Sequence, residues 1–228
     1  MCHHCIAFVH LLVVGMFNVL SALGGGGQVD PTTSNNANTI LYSLFCAMSL
    51  AGSFCNFFGP KITLASGGVG FSLLSASYWS YNHNKEEGFV YFGGAICGIA
   101  AAFLWTAEGS MIMSLPLEKD KDKYIGVFYG LSYFGTVIGA IIRAVETWAT
   151  TTAGSVNDGT YIALFILMLM GSVVARFVSN PEKVIRTDGT RVVIPRQTTF
   201  NQELKNVALA IKREPYIILF FPYSMASL

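Results

Sequence analysis

Charged residues are scarce in this chain, 12% of 228 against 53% hydrophobic, where soluble domains carry about 25% charged. That excludes a water-facing surface over most of its length. A net charge of +1 selects no acidic or basic partner, so the placement of the charges matters more than their sum. The cysteines at positions 2, 5, 46, 55 and 97 make no disulfide framework, because three of them lie in or at the ends of apolar runs. Small buried fillers are their expected role. Cys2-His3-His4-Cys5 offers four metal-binding side chains, yet adjacent ligands wrap one tetrahedral ion poorly, and no metal site is expected. The amino end also lacks a basic lead-in and an A-x-A-like cleavage site, so its apolar run reads as a retained span rather than a secretory signal. Scattered histidines with no Ser-His-Asp arrangement at one depth leave no case for a soluble enzyme. No cofactor is expected either, since the four glycines Gly24–Gly27 follow an apolar run instead of a buried strand and lead into polar residues.

Long apolar sequence is what the chain has in abundance. Ile6–Leu23, Thr39–Phe58, Ile62–Tyr81, Gly88–Leu115, Tyr124–Val145 and Tyr161–Val178 are near or above the ~20 residues that span a hydrocarbon core. A seventh run opens at Tyr216. With the amino end cytoplasmic, 12 of the 14 basic residues fall inside: Lys61, then Lys119, Lys121 and Lys123, then Arg176 and the seven bases from Lys183 to Arg213. Only Lys85 lies in an outside loop and Arg143 within a span. The positive-inside bias supports that orientation. The expected fold is all-α, a polytopic membrane helix bundle with six spans over 1–178, a cytoplasmic loop over 179–215 and the start of a seventh span over 216–228. The lipid bilayer is its main partner. Bases in a mixed-charge loop facing the inner membrane surface give no footing for nucleic acid.

Loop composition and small-residue spacing refine this picture. Gly24–Asn38 should end the first helix and hold off the second until Thr39. Gly94 and Gly98 sit at helix-packing distance in the fourth span; in the fifth, Gly126 with Gly130 and Gly135 with Gly139 face opposite ways at ~100° per residue. The fourth run, 28 residues or ~42 Å, exceeds a core of ~30 Å and must tilt or project. In the long loop, Asp188-Gly189 between two β-prone runs suits the two left-handed positions of a type I′ hairpin. Thr199–Gln202 resembles a capping box ahead of Leu204, Val207, Ala208 and Ile211, an amphipathic helix expected at the inner membrane surface with Lys205, Lys212 and Arg213 toward anionic lipid.

Glu108 stands out, because a carboxylate inside an apolar span costs several kcal/mol if charged and unpaired, and so faces a bundle interior or wet cavity. It lies ~10 Å from the cytoplasmic end. Two roles stay open: a proton- or cation-coupled group, or a structural carboxylate protonated or hydrogen-bonded to a neighbouring helix. Tyr91, Gly98, Ala101, Trp105, Glu108 and Ile112 share one helical face. Arg143 is the obvious partner by charge, but its depth puts it roughly 20 Å away, so pairing with Glu146 is expected instead. Asn18, with Ser21 a turn later, offers hydrogen bonds to a solute or equally to a neighbouring helix. His10 is expected to pack or hydrogen-bond rather than titrate usefully.

Gly15–Gln28, Trp105-Thr106-Ala107-Glu108-Gly109-Ser110 and Glu118–Gly126 resemble the Unc-ninety-three-like family, especially its fungal branch, placed within the major facilitator superfamily. Gly52–Lys61 resembles a degenerate form of the superfamily signature Gly-x-x-x-Asp-x-x-Gly-basic-basic, with Gly52, Gly59 and Lys61 in place, Asn56 at the acidic position and Pro60 at a basic one. The resemblance implies twelve spans in two halves, of which this chain looks like the first half, the inter-half loop and part of span seven. It implies a transporter-like protein that moves a small solute or ion, with Asn18, Ser21, Tyr91, Trp105 and Glu108 along the path. The alternative it carries is a non-transporting regulator or trafficking partner of a channel or receptor. Either way a second half or a second copy is an expected partner, since a central cavity uses both halves.

Overall fold

The computed structural model of the chain describes residues 2–23, 30–49, 58–149, 158–178, 184, 186, 188–192 and 200–216. Helix α1 runs through Cys2–His10, a π-helical turn at Leu11–Gly15 and Met16–Ala22. It is followed by α2 (Pro31–Ser49), α3 (Pro60–Asn84), α4 (Glu87–Ser114), α5 (Lys121–Ala149), α6 (Asp158–Phe177) and α7 (Phe200–Arg213). The described fold is helical, as the apolar runs imply. Among the described residues, four stretches have the length and apolarity to cross a membrane: Cys5–Ala22, Glu87–Ser114, Glu118–Ile141 and Asp158–Phe177. In α3, Gly67, Gly68 and Gly70 with Ser66, Ser72, Ser75 and Ser77 dilute the hydropathy of the helix. Its hydroxyls nevertheless stay satisfied, since exposed Ser66 and buried Ser72 and Ser77 donate to the carbonyls of Thr63, Val69 and Leu74, three residues back.

Helix α2 corrects the expected boundary. It starts at Pro31 rather than Thr39 because Asp30 caps it: one carboxylate oxygen accepts the backbone N–H groups of Thr32 at 2.9 Å and Thr33 at 3.3 Å. Proline at the first helical position surrenders no bond that the helix would have made. Asp30-Pro31 is therefore a start signal, stronger than the loop-like composition of Thr32–Asn36. The glycine run before it, Gly24–Gly27, lies outside the described residues.

Close backbone approach organises the bundle. A Cβ on Gly135 would stand 2.5 Å from the Gly15 Cα, and one on Gly139 2.7 Å from the Val19 Cα, so these glycines seat α5 directly on α1. A Cβ on Gly94 would stand 2.8 Å from the Ala37 carbonyl oxygen, and one on Gly98 would run into Leu41, which fits α2 onto α4. Gly67 and Gly70 meet Leu104 and Ala100 in the same way, and α3 packs along α4 and α6. Gly126 and Gly130 meet no atom within 4 Å, so of the two small-residue faces of α5 only the Gly135 face is closed. The buried core gathers Val9, Val13, Leu20, Leu64, Leu74, Leu104, Met111, Tyr161 and Met168 from α1, α3, α4 and α6.

The loop hairpin differs from the expected turn. Arg186 N–H donates to Thr190 O at 2.8 Å and Gly189 N–H to Arg186 O at 2.9 Å. Gly189 has φ +81° and Asp188 is not in the left-handed region. A type I′ turn needs both residues left-handed, so this is not that turn. Val192 is buried, and the Arg186 guanidinium donates at 2.6 Å to the Ser114 carbonyl at the end of α4. Residues 217–228, expected to carry the start of a seventh span onward from Tyr216, lie outside the described residues.

Candidate functional site

His10 Nδ1 stands 2.7 Å from Glu108 Oε2, and both side chains have no exposed surface. Each reaches the pair from a different helix. Glu108 sits in the last third of α4, and His10 is the last residue of α1 before the π-helical turn. That turn widens the helix as it approaches Gly15, where α1 meets α5, and such turns recur at functional sites. Aromatic rings wall the pair: Phe128 of α5 lies with its centroid 3.9 Å from the imidazole, and Trp105 of α4 meets it edge-on at 5.2 Å. Among the described residues no protein group bonds the outer atoms of the pair, His10 Nε2 and Glu108 Oε1.

The arrangement has a defined chemistry. One proton between an imidazole and a carboxylate leaves the couple neutral, whichever atom carries it. Adding a second proton removes the carboxylate charge and leaves an imidazolium among aromatic rings, so the electrostatic tie between α1 and α4 weakens. Each change is strong here because little solvent screens it.

The other expected positions scatter along the bundle. Trp105 joins Glu108 around His10. Asn18 donates to the Ser132 carbonyl of α5 at 3.4 Å, a contact between helices, and Ser21 is exposed. Tyr91 bonds Glu87 at 2.8 Å near the start of α4, some 17 residues or ~26 Å along the helix from Glu108. Gly59 caps α3 with φ +75° and Lys61 is half-buried in its first turn, while Gly52 and Asn56 lie outside the described residues. The expected Arg143–Glu146 contact also lies outside the described side chains. Arg143 follows Phe128 by 15 residues, ~22 Å along α5. Sequence reasoning expected His10 to pack or hydrogen-bond rather than titrate usefully; it does hydrogen-bond, but that reasoning did not join it to Glu108. The signal that could have done so was depth, since the sequence reading sets both residues toward the cytoplasmic ends of their spans.

A cavity of about 220 Å³ beside α3 and α4 is lined by Phe58, Ile62, Thr63, Ser66 and Phe103. Its hydroxyls already donate to Gly59 O and Thr63 O. Among the described residues it offers apolar walls and no ionisable group.

The UNC-93 family, described as ion channel regulatory protein UNC-93, matches residues 25–226. An UNC93-like protein of Schizosaccharomyces pombe is 42% identical over 223 residues, 97% of this chain and 44% of that protein. UNC93-like protein 1 of Arabidopsis thaliana is 38% identical over 221 residues, 96% of this chain and 48% of its own length. UNC93-like protein MFSD11 of Xenopus tropicalis is 27% identical over 191 residues, 75% of this chain and 41% of that one. The chain thus spans slightly less than half the length of these relatives. With the family match running across nearly its whole length, the chain belongs to the UNC-93 family of membrane proteins.

Proposed function

We propose that this chain is the first half of a major-facilitator-type carrier, with six membrane crossings and a cytoplasmic amino end, and that His10 and Glu108 form its proton-exchange site. The observation that carries this reading is the solvent-free couple at 2.7 Å with its outer nitrogen and oxygen uncommitted to protein partners among the described residues. A purely structural pair is best served by satisfying every polar atom, whereas a group that loads and unloads a proton needs a face to receive it. The six crossings follow if α2 and α3, more polar than the other four, traverse the membrane shielded by their neighbours, α2 packing on α4 and α3 on α4 and α6. Trp105 and Glu108 lie on the path of the solute, with Asn18 farther along α1. The second half, or a second copy, completes the cavity.

The family description favours a second reading, in which the protein regulates a channel without moving solute. Uptake across a solute panel into vesicles holding the complete protein, compared with its Glu108→Gln variant, separates the two. Flux in the native protein that falls at least ten-fold in the variant supports the carrier. No flux with any solute, together with unchanged partner trafficking, supports the regulator.

A further inference from the structure

We infer that α7 is a membrane-surface helix that docks on the anionic headgroups of the leaflet at the base-rich end of the bundle. The structure forms this helix over Phe200–Arg213, and its described side chains are exposed, including Leu209 at 51% and Ile211 at 37%. At ~100° per residue, Leu204, Val207, Ala208 and Ile211 gather within roughly 100° of arc. Lys205 and Lys212 border that arc, and Leu209 and Arg213 fall on the far side. Bases bordering an apolar stripe extend their aliphatic stems over it while their charges reach outward, the arrangement a lipid headgroup layer accepts.

Charge and position favour lipid over a protein as the covering surface. Residues 179–216 hold seven basic and four acidic side chains, an excess that suits an anionic leaflet. The preceding hairpin is fastened to the bundle, because Arg186 donates to the Ser114 carbonyl at the end of α4 and Val192 is buried. Seven residues lie between Val192 and Phe200, eight Cα–Cα steps with a reach of at most ~29 Å. The helix therefore starts within that distance of the hairpin fastened at the end of α4.

A polarity-sensitive label reports the docking directly. The complete protein, with its native cysteines replaced by serine, carries the label through Ile211→Cys or, as the opposite face, Leu209→Cys. In vesicles of phosphatidylcholine with phosphatidylserine, the label at 211 reports an apolar surrounding and that at 209 an aqueous one. Replacing Lys205 and Lys212 by glutamine returns the label at 211 toward water, with docking weakened roughly five-fold per base removed, and high salt acts in the same direction. Equal exposure of both labels in anionic vesicles overturns the inference. So does shielding at 211 that persists unchanged in pure phosphatidylcholine or in detergent, since a protein surface would then be the cover. None of these readings depends on solute flux.

Discussion

A buried imidazole and carboxylate depend on one another more than either helps the fold. Removing one partner strands the other in an apolar site, a loss of about 3–5 kcal/mol, whereas replacing both by hydrophobic residues of similar volume is neutral or stabilising. His10→Ala should accordingly lower the thermal unfolding temperature of the purified protein sharply, and the His10→Leu, Glu108→Leu double variant should recover it. Similar destabilisation in the single and double variants would show that the two side chains are not coupled. A second titratable group lies outside the membrane, where the Thr190 hydroxyl and backbone N–H hold Asp188 below the usual carboxylate value of 3.8. A depressed folded-state value means that the charged form steadies the hairpin. That contribution is complete above the ordinary value and is lost as pH falls through the lowered one. Protection of the Gly189 and Thr190 amides, relative to their intrinsic exchange rates, should fall only under acid conditions, and Asp188→Asn should remove that pH dependence. At this scale Glu108 was legible in the sequence because a carboxylate in an apolar run is costly. The partnership of His10 was not, because a weakly basic ring in a helix carries no comparable penalty and its pairing depends on how α1 and α4 lie together.

Helices follow their local signals where packing leaves those signals alone. The apolar runs located α1, α4, α5 and α6 to within a few residues, since length and composition decide whether a segment tolerates lipid. The π-helical turn at Leu11–Gly15 left no such mark, as it arises where α1 fits Gly15 against Gly135. The early start of α2 was legible in Asp30-Pro31 and was obscured by the polar residues after it. Asp30→Ala should cost about 1 kcal/mol through loss of the cap, with Asp30→Asn nearly silent, measured as thermal stability in one detergent. The glycines of α5 provide an internal control. Gly135→Ala should destabilise by roughly 1–3 kcal/mol because its new Cβ overlaps the Gly15 backbone. Gly126→Ala, in open space, should be neutral or slightly stabilising. Equal effects at both sites would contradict the packing of α5 on α1.

Across the whole molecule, the proposed threading assigns each loop a side of the membrane. His83 at the end of α3 stands 3.1 Å from Asp158 at the start of α6, while Arg186 holds the loop hairpin to the end of α4. Membrane-impermeant reagents should therefore reach Lys85 and Arg191 from opposite sides of sealed cells. Access from one side alone would break the threading. The chain covers 44% of its Schizosaccharomyces relative and 48% of its Arabidopsis one, so the proposed transport is to be tested on the complete protein. Solute uptake by that complete protein in sealed vesicles, with and without an imposed proton gradient, tests the His10–Glu108 couple most directly. The account predicts uptake that the gradient accelerates in the native protein and leaves unchanged in Glu108→Gln. Uptake equally responsive to the gradient in both proteins would contradict it.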